Sequence, residues 1–326
     1  MVETHAESVQ QEAISWRFFE RIVFRFAFCY IVFYYLPTVL SAIPGMAVPL
    51  GWYSHLWDLV DGSLGIYLFN LDSVQALPHA TGSGDTALAY VQQAVIFFLA
   101  AVAGAIWAFL DRRRPHYAGL HGWLRVLVRY TLALTLLSYA CAKIIPTQFS
   151  HLQSRQLAES YGQSSPMALL WNFMGYSTPY TVFGGFAELL PAVFLLFRRT
   201  ALLGALLSFC VLLNIVMLNF CYDVPVKLYS LNLLLLSVVL IAPEVPRLFR
   251  IFVLNYPAVP SNLREPLVTR RVALVVKVLV LVILLGQTIY SAVGLHRMVS
   301  AQRETAPPSP LTTRGFHWVQ EYPYNR

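Results

Sequence analysis

The sequence predicts an all-α membrane protein with about seven transmembrane helices, and three observations carry that prediction. Of the 326 residues, 57% are hydrophobic and only 12% are charged, with a mean hydropathy of +0.59. A soluble domain carries about 25% charged residues, so this chain lacks the groups needed to cover a globular surface. Apolar stretches of roughly 20 residues recur along it, the length that crosses about 30 Å of hydrocarbon at about 1.5 Å per residue. The basic residues, finally, fall on alternate connections between those stretches, as the positive-inside rule requires.

With the N-terminus cytoplasmic, the inner set is Arg17, Arg21, Arg25, Arg112, Arg113, Arg114, Arg125, Arg129, Arg198, Arg199, Arg247, Arg250, Arg264, Arg270, Arg271 and Lys277, sixteen of the 23. The outer connections hold Lys143, Arg155 and Lys227, and the tail holds Arg297, Arg303, Arg314 and Arg326. The expected layout is seven spans, N-in and C-out. The net charge of +7 belongs to topology rather than to nucleic acid, because no separate basic domain or aromatic-basic RNA motif accompanies it.

Residues 1–15 read as a short cytoplasmic arm, and 16–122 as the N-terminal helices. Basic and aromatic residues alternate over Trp16–Arg25 and lead into a first span, Phe26–Leu40, kinked at Pro37. No small-residue cleavage site follows, so this is a retained helix and not a signal peptide. Residues 45–85 form an outer, aromatic-rich excursion without Lys or Arg. Its apolar pieces, Met46–Leu56 and Leu64–Leu71, are short and interrupted by Gly51, Gly62 and Gly65, which predicts interfacial or re-entrant segments. Ala87–Leu110 is the second span, stopped by Asp111–Tyr117, and Trp123–Ile145 is the third, closed by Pro146.

After a polar stretch containing a short surface helix at Met167–Met174 come two spans, Thr181–Phe197 and Ala201–Phe220, joined by a basic turn. The sixth span, Val226–Ile241, closes at APEVP, and Arg247–Leu254 reads as an amphipathic helix along the surface. The seventh is Val272–Val293, within a segment 246–294, and 295–326 is an outer tail.

Polar side chains inside these spans mark the candidate site, because hydrocarbon tolerates them only where they face protein or a water-filled cavity. Glu188 falls near the midplane of the fourth span. An ionised carboxylate there needs a cation nearby, and Lys143 and Lys227 are the candidates. As a functional group Glu188 would accept a proton or bind a cation; as a structural group it would pin helices through an ion pair. Gly184 and Gly185 beside it let another helix approach closely, and Pro191 frees a carbonyl. Lys143 either joins this site or snorkels to the interface. Gln148 could line the same outward-open pocket, Asn214, Asn219 and Asn232 could line it or serve as interhelical glue, and Asp223 and Lys227 could line it or pair across a turn.

The sequence excludes several chemistries. It has no phosphate loop, dinucleotide fingerprint or GxSxG elbow, and no internal repeat of the carrier type. No histidine pair has HxxxH spacing, so no metal ligand set is expected. Cys29, Cys141, Cys210 and Cys221 lack CxxC spacing and read as small buried hydrophobes.

The block GGFAELLP, a two-residue basic turn, a long apolar span and NFCYDVPVKL, together with the preceding YACAKIIPTQF, resembles the DoxX-like integral membrane proteins over residues 123–245. It is more distantly similar to the bacterial transmembrane relatives of the vitamin K-dependent carboxylase. The resemblance implies a DoxX-like four-helix bundle with extra helices on either side, in a bacterial inner membrane. Some DoxX-like proteins are linked to thiosulfate:quinone oxidoreduction and to thiol stress. The carboxylase relatives imply a base in the membrane, for which Lys143 and Glu188 are the candidates. The closing EYPYNR resembles the opening of an outer domain, which implies that the chain continues in a longer product.

The expected function is therefore an outward-facing pocket that binds quinone or another small lipophilic redox ligand, in a bilayer and beside a redox partner or another membrane subunit. The alternative is a non-enzymatic transporter or structural subunit.

Overall fold

In a computed structural model of the chain, the described residues are 16–41, 45–72, 84–145, 147–149, 156, 159–257, 261 and scattered positions between 278 and 297. Every regular element among them is helical. In chain order they are α1 (Phe18–Ser41), α2 (Ala47–Phe69), α3 (Ala87–Leu110), α4 (Ala118–Ile144), a 3-10 turn (Tyr161–Gln163), α5 (Pro166–Tyr176), α6 (Thr178–Leu196), α7 (Ala201–Cys221), α8 (Lys227–Ile241), a second 3-10 turn (Ala242–Glu244) and α9 (Val245–Phe252). Five helical stretches are long and apolar enough to cross a membrane: α3, α4, α6, α7 and the path Lys227–Phe252. α1, expected as the first span, is a 24-residue helix but is not one of the five. The expected seventh span, Val272–Val293, lies outside the described residues apart from scattered positions.

Two compact units divide the chain, one comprising residues 1–131 and 246–267, the other 132–245 and 268–326. In the first, α1 and α2 both pack on α3, and on each other. Gly104 of α3 is the point of close approach to α1, where an added Cβ would meet the Phe26 backbone nitrogen at 3.4 Å. In the second unit α7 packs against α6 and α8, and α5 lies against α6. The inward stripe of α6 is Thr181, Gly185, Glu188, Ala192 and Leu195, and that of α7 is Ala201, Ala205, Ser208, Leu212, Val216 and Asn219. Both recur every three or four residues, the period of one helix face. Small residues dominate these stripes, as they do wherever membrane helices pack closely. Gly204 is the tightest point, with Leu195 N of α6 only 2.8 Å from where its Cβ would stand.

Helix starts follow local chemistry. Ser165 accepts from Ala168 N, Ser177 from Tyr180 N and Thr86 from Ala89 N, so each caps an otherwise orphaned donor. Pro166 and Pro179 occupy first-turn positions, where a missing N–H costs nothing.

One expectation is corrected. The 45–85 excursion was expected to hold short pieces broken at Gly51, Gly62 and Gly65, but α2 runs unbroken through all three for 23 residues. A glycine inside a helix costs only about 1 kcal/mol against alanine, and Gly65 uses its missing side chain to seat Leu71, whose Cδ1 would lie 3.1 Å from a Cβ there. The α-helix of the sixth span ends at Ile241, as expected. The helical path continues through the 3-10 turn into α9, because Pro243 stands at the start of that turn, where proline is accepted rather than disruptive.

The close approach at Gly204 yields a direct test. Gly204→Ala should cost about 1–3 kcal/mol by overpacking α6 against α7. Gly119→Ala, where a Cβ meets nothing within 4 Å, should be neutral or stabilise by about 0.4–1 kcal/mol. Denaturant unfolding in detergent micelles distinguishes the two, and equal behaviour would contradict the packing described.

Candidate functional site

The last turn of α4 and the middle of α6 meet over Gly185, where an added Cβ would stand 3.0 Å from Ala140 O and 2.8 Å from Ile144 Cγ1. Without a side chain at that position, α4 can lie directly against α6. A lysine near a helix C-terminus points back along its own helix, and Lys143 so placed reaches Glu188. Its Nζ donates to Glu188 Oε1 at 2.6 Å, and the two side chains are only 10% and 3% exposed. Gly184 gives room for the lysine stem, with Lys143 Cδ and Met174 Cε each 3.8 Å from its virtual Cβ. Pro191 withholds the N–H that would have bonded the Ala187 carbonyl, which leaves a further acceptor one residue from Glu188.

Burying an ion pair costs several kcal/mol per ion, and the remaining lone pairs need partners. Glu188 Oε2 is buried and has no hydrogen-bond partner among the described residues. This open acceptor is the chemical feature of the site: it can take an N–H or O–H from water or from a ligand.

α4 adds two further polar groups on the same face. Thr135, Tyr139 and Lys143 follow one another four residues apart, so they stack along one side of the helix. Lys143 Nζ lies 5.6 Å from the centroid of the Tyr139 ring, and Tyr139 interacts electrostatically with both Glu188 and Tyr229 of α8. Thr135 and Tyr229 share a hydroxyl contact at 3.5 Å. Neither tyrosine was singled out from sequence, although the i, i+4, i+8 spacing of Thr135, Tyr139 and Lys143 was there to be read.

The other predicted site residues divide. Asn219 and Asn232 are buried. Asn219 Nδ2 has no partner among the described residues, while Asn232 Nδ2 donates back to the Leu228 carbonyl at 2.9 Å. Gln148 is half-buried, and its Oε1 has no partner among the described residues. Lys227 Nζ pairs with Asp223 Oδ1 at 2.6 Å, four residues away, in a surface contact whose carboxylate is 79% exposed. That matches the turn-pairing alternative and not a pocket. Asn214 is a correction: it lies on the exposed face of α7 with Leu213 and Met217, because the inward stripe passes through Leu212 and Val216. Cys210 and Cys221 also face outward instead of lining the core, and all four cysteines are free thiols. Among the described residues no group of three or more metal-ligating side chains occurs. A cleft of about 580 Å³ opens where α5 meets α6, lined by Asn172, Phe173, Tyr176, Ser177 and Tyr180.

A second buried charge, in the other unit, was read from sequence only as a topology signal. Arg25 is buried, and its Nε and Nη2 donate to the Tyr117 hydroxyl at 3.1 and 2.7 Å. Nη2 also donates to the Asp111 carbonyl at 2.7 Å, and the Tyr117 hydroxyl donates to Asp111 Oδ2 at 3.0 Å. Trp16, Phe24 and Trp107 pack against the tyrosine ring. This network clamps α1 to the connection between α3 and α4.

Over 113 residues the chain is 36% identical to the uncharacterized protein YwoB of Bacillus subtilis (strain 168), a match covering 35% of this chain and 71% of the relative. The chain belongs to the YwoB family. No family model matches, and no solved structure matches. The chemistry therefore rests on the geometry above.

That geometry makes two predictions. Lys143→Met alone should destabilise the fold by about 3–5 kcal/mol, since it strands a buried carboxylate, whereas Lys143→Met with Glu188→Leu should restore most of the loss. A double-mutant cycle in detergent checks the coupling, and additive losses would deny it. Tyr117→Phe should cost about 1.5–3 kcal/mol by orphaning Arg25, read as a lower midpoint of thermal unfolding; an unshifted midpoint would show that the clamp carries no stability.

Proposed function

We propose that this is a multi-pass inner-membrane protein, seven-span with its N-terminus cytoplasmic, whose outward-facing polar pocket binds a small lipophilic redox ligand of the quinone class. The observation that supports this reading is the Lys143–Glu188 pair, buried between two apolar helices with Glu188 Oε2 left open. A quinone carbonyl accepts hydrogen bonds and a hydroquinone hydroxyl donates them. Lys143 can donate to the first and Glu188 can accept from the second. Tyr139, on the same face of α4 and 36% exposed, offers a ring surface beside the cation. Electrons would come from a separate redox partner or membrane subunit. Membership of the DoxX-like proteins, with α4, α6, α7 and α8 as the four-helix core, is part of the same proposal.

A scaffold or transporter draws on the same pair in another way. There the ion pair only fixes α4 against α6, and the mutual pairing of Asp223 with Lys227 is the observation in its favour.

Labelling separates the two. An azido-quinone photolabel in membrane vesicles should mark peptides from α4 and α6, and Glu188→Gln, which keeps shape and removes charge, should reduce that labelling about tenfold. Labelling that is absent, or indifferent to Glu188→Gln, would favour the scaffold. Quinone reduction by the same vesicles, followed across pH, adds a functional readout.

A further inference from the structure

We propose that the basic end of the α1–α3 pair is a binding site for the phosphate headgroup of an anionic phospholipid. Six arginines gather there, namely Arg17, Arg21 and Arg25 on or beside α1 and Arg112, Arg113 and Arg114 after α3. Arg25 is consumed by the Tyr117–Asp111 clamp. Two carboxylates lie at this end among the described residues: Glu20 accepts from Arg17 N at 2.8 Å and Asp111 accepts from Tyr117.

Six guanidinium groups against two carboxylates leave an excess of positive charge at this end among the described residues. Arg21 Nη1 donates to the Arg114 carbonyl at 3.1 Å, which ties α1 to the arginine run, and Arg21 Nε is buried with no partner among the described residues. Arg112 lies over the Phe109 ring at 4.2 Å and Arg114 over the Tyr117 ring at 5.4 Å, so both heads are carried on aromatic faces rather than on carboxylates. This excess of positive charge calls for an anion, and guanidinium groups suit phosphate oxygens.

The surroundings identify which anion. Directly beside the arginines, Phe18 and Phe19 are each 72% exposed, Phe109 66% and Leu110 77%. A free phosphate or a nucleic acid gains nothing from that apolar rim. A phospholipid uses both parts, the headgroup on the arginines and the acyl chains along the rim.

The test uses the full chain purified in detergent and supplied with dioleoyl phosphatidylglycerol or dioleoyl phosphatidylcholine, with retained lipid counted by native mass spectrometry. Phosphatidylglycerol should be retained over phosphatidylcholine. Arg113→Gln with Arg114→Gln should weaken its retention by about tenfold or more, while Arg198→Gln with Arg199→Gln, an equal charge loss at the exposed turn before α7, should leave it unchanged. Inorganic phosphate at matched concentration should not displace the lipid. Equal retention of the two lipids overturns the proposal. Equal weakening by both double variants would reduce the effect to general attraction, and displacement by inorganic phosphate would make it a free-anion site; either result also overturns it.

Discussion

Hydrocarbon does not tolerate a lone charge, and the second unit is arranged around that constraint. Glu188 lies well inside an apolar helix, so its negative charge must be met by a cation within hydrogen-bonding distance. Lys143 meets it at 2.6 Å only because Gly185 lets α4 settle directly against α6. The small residues of α6 and α7 then carry the same close packing onward, through Gly204, Ala205 and Ser208. Apolar burial supplies no preference for one lipid-solvated helix face over another, so close van der Waals approach and polar pairing fix which faces meet. The pair specifies the contact, and the glycines permit it.

Much of the helical layout was legible because its signals are local. Long apolar runs bounded by arginines or prolines give helices wherever they occur, and α3, α6 and α7 begin and end within a few residues of the expected spans. Legibility failed where a local breaker was overruled. The glycines of α2 suggested interruptions, yet backbone hydrogen bonding in an apolar setting favours a continuous helix over exposed peptide groups. Pro243, by contrast, was read correctly as a stop, since the α-helix ends two residues before it at Ile241.

The site was partly legible for the same reason. Ionisable residues inside apolar runs stand out, so Glu188 and Lys143 were visible. Their partnership depends on how α4 lies against α6, which no residue in either helix announces alone. Asn214 shows the limit: an amide inside a span signals burial on average, but one position of rotation around α7 decides between stripe and surface. Tyr139 and Tyr229 were hidden because tyrosine is ordinary in a membrane helix, and only its register with Thr135 and Lys143 distinguishes it.

The buried charges at Arg25 and Glu188 differ in how completely they are satisfied. Arg25 sits in a closed arrangement: its donors reach a hydroxyl and a carbonyl, the hydroxyl reaches a carboxylate, and aromatic rings pack around it. Such a network rigidifies and leaves nothing for a ligand to do. Glu188 is different, because one carboxylate oxygen is met and the other is buried with an unused acceptor, beside a helix whose proline has released a carbonyl. An unmet buried acceptor costs about 1–3 kcal/mol, more when charged, and a well-packed apolar pair in place of both Lys143 and Glu188 would leave the fold as stable or more so. A donor that arrives from outside the chain recovers that cost on binding, and the functional assignment is placed at Glu188 and not at Arg25 for that reason.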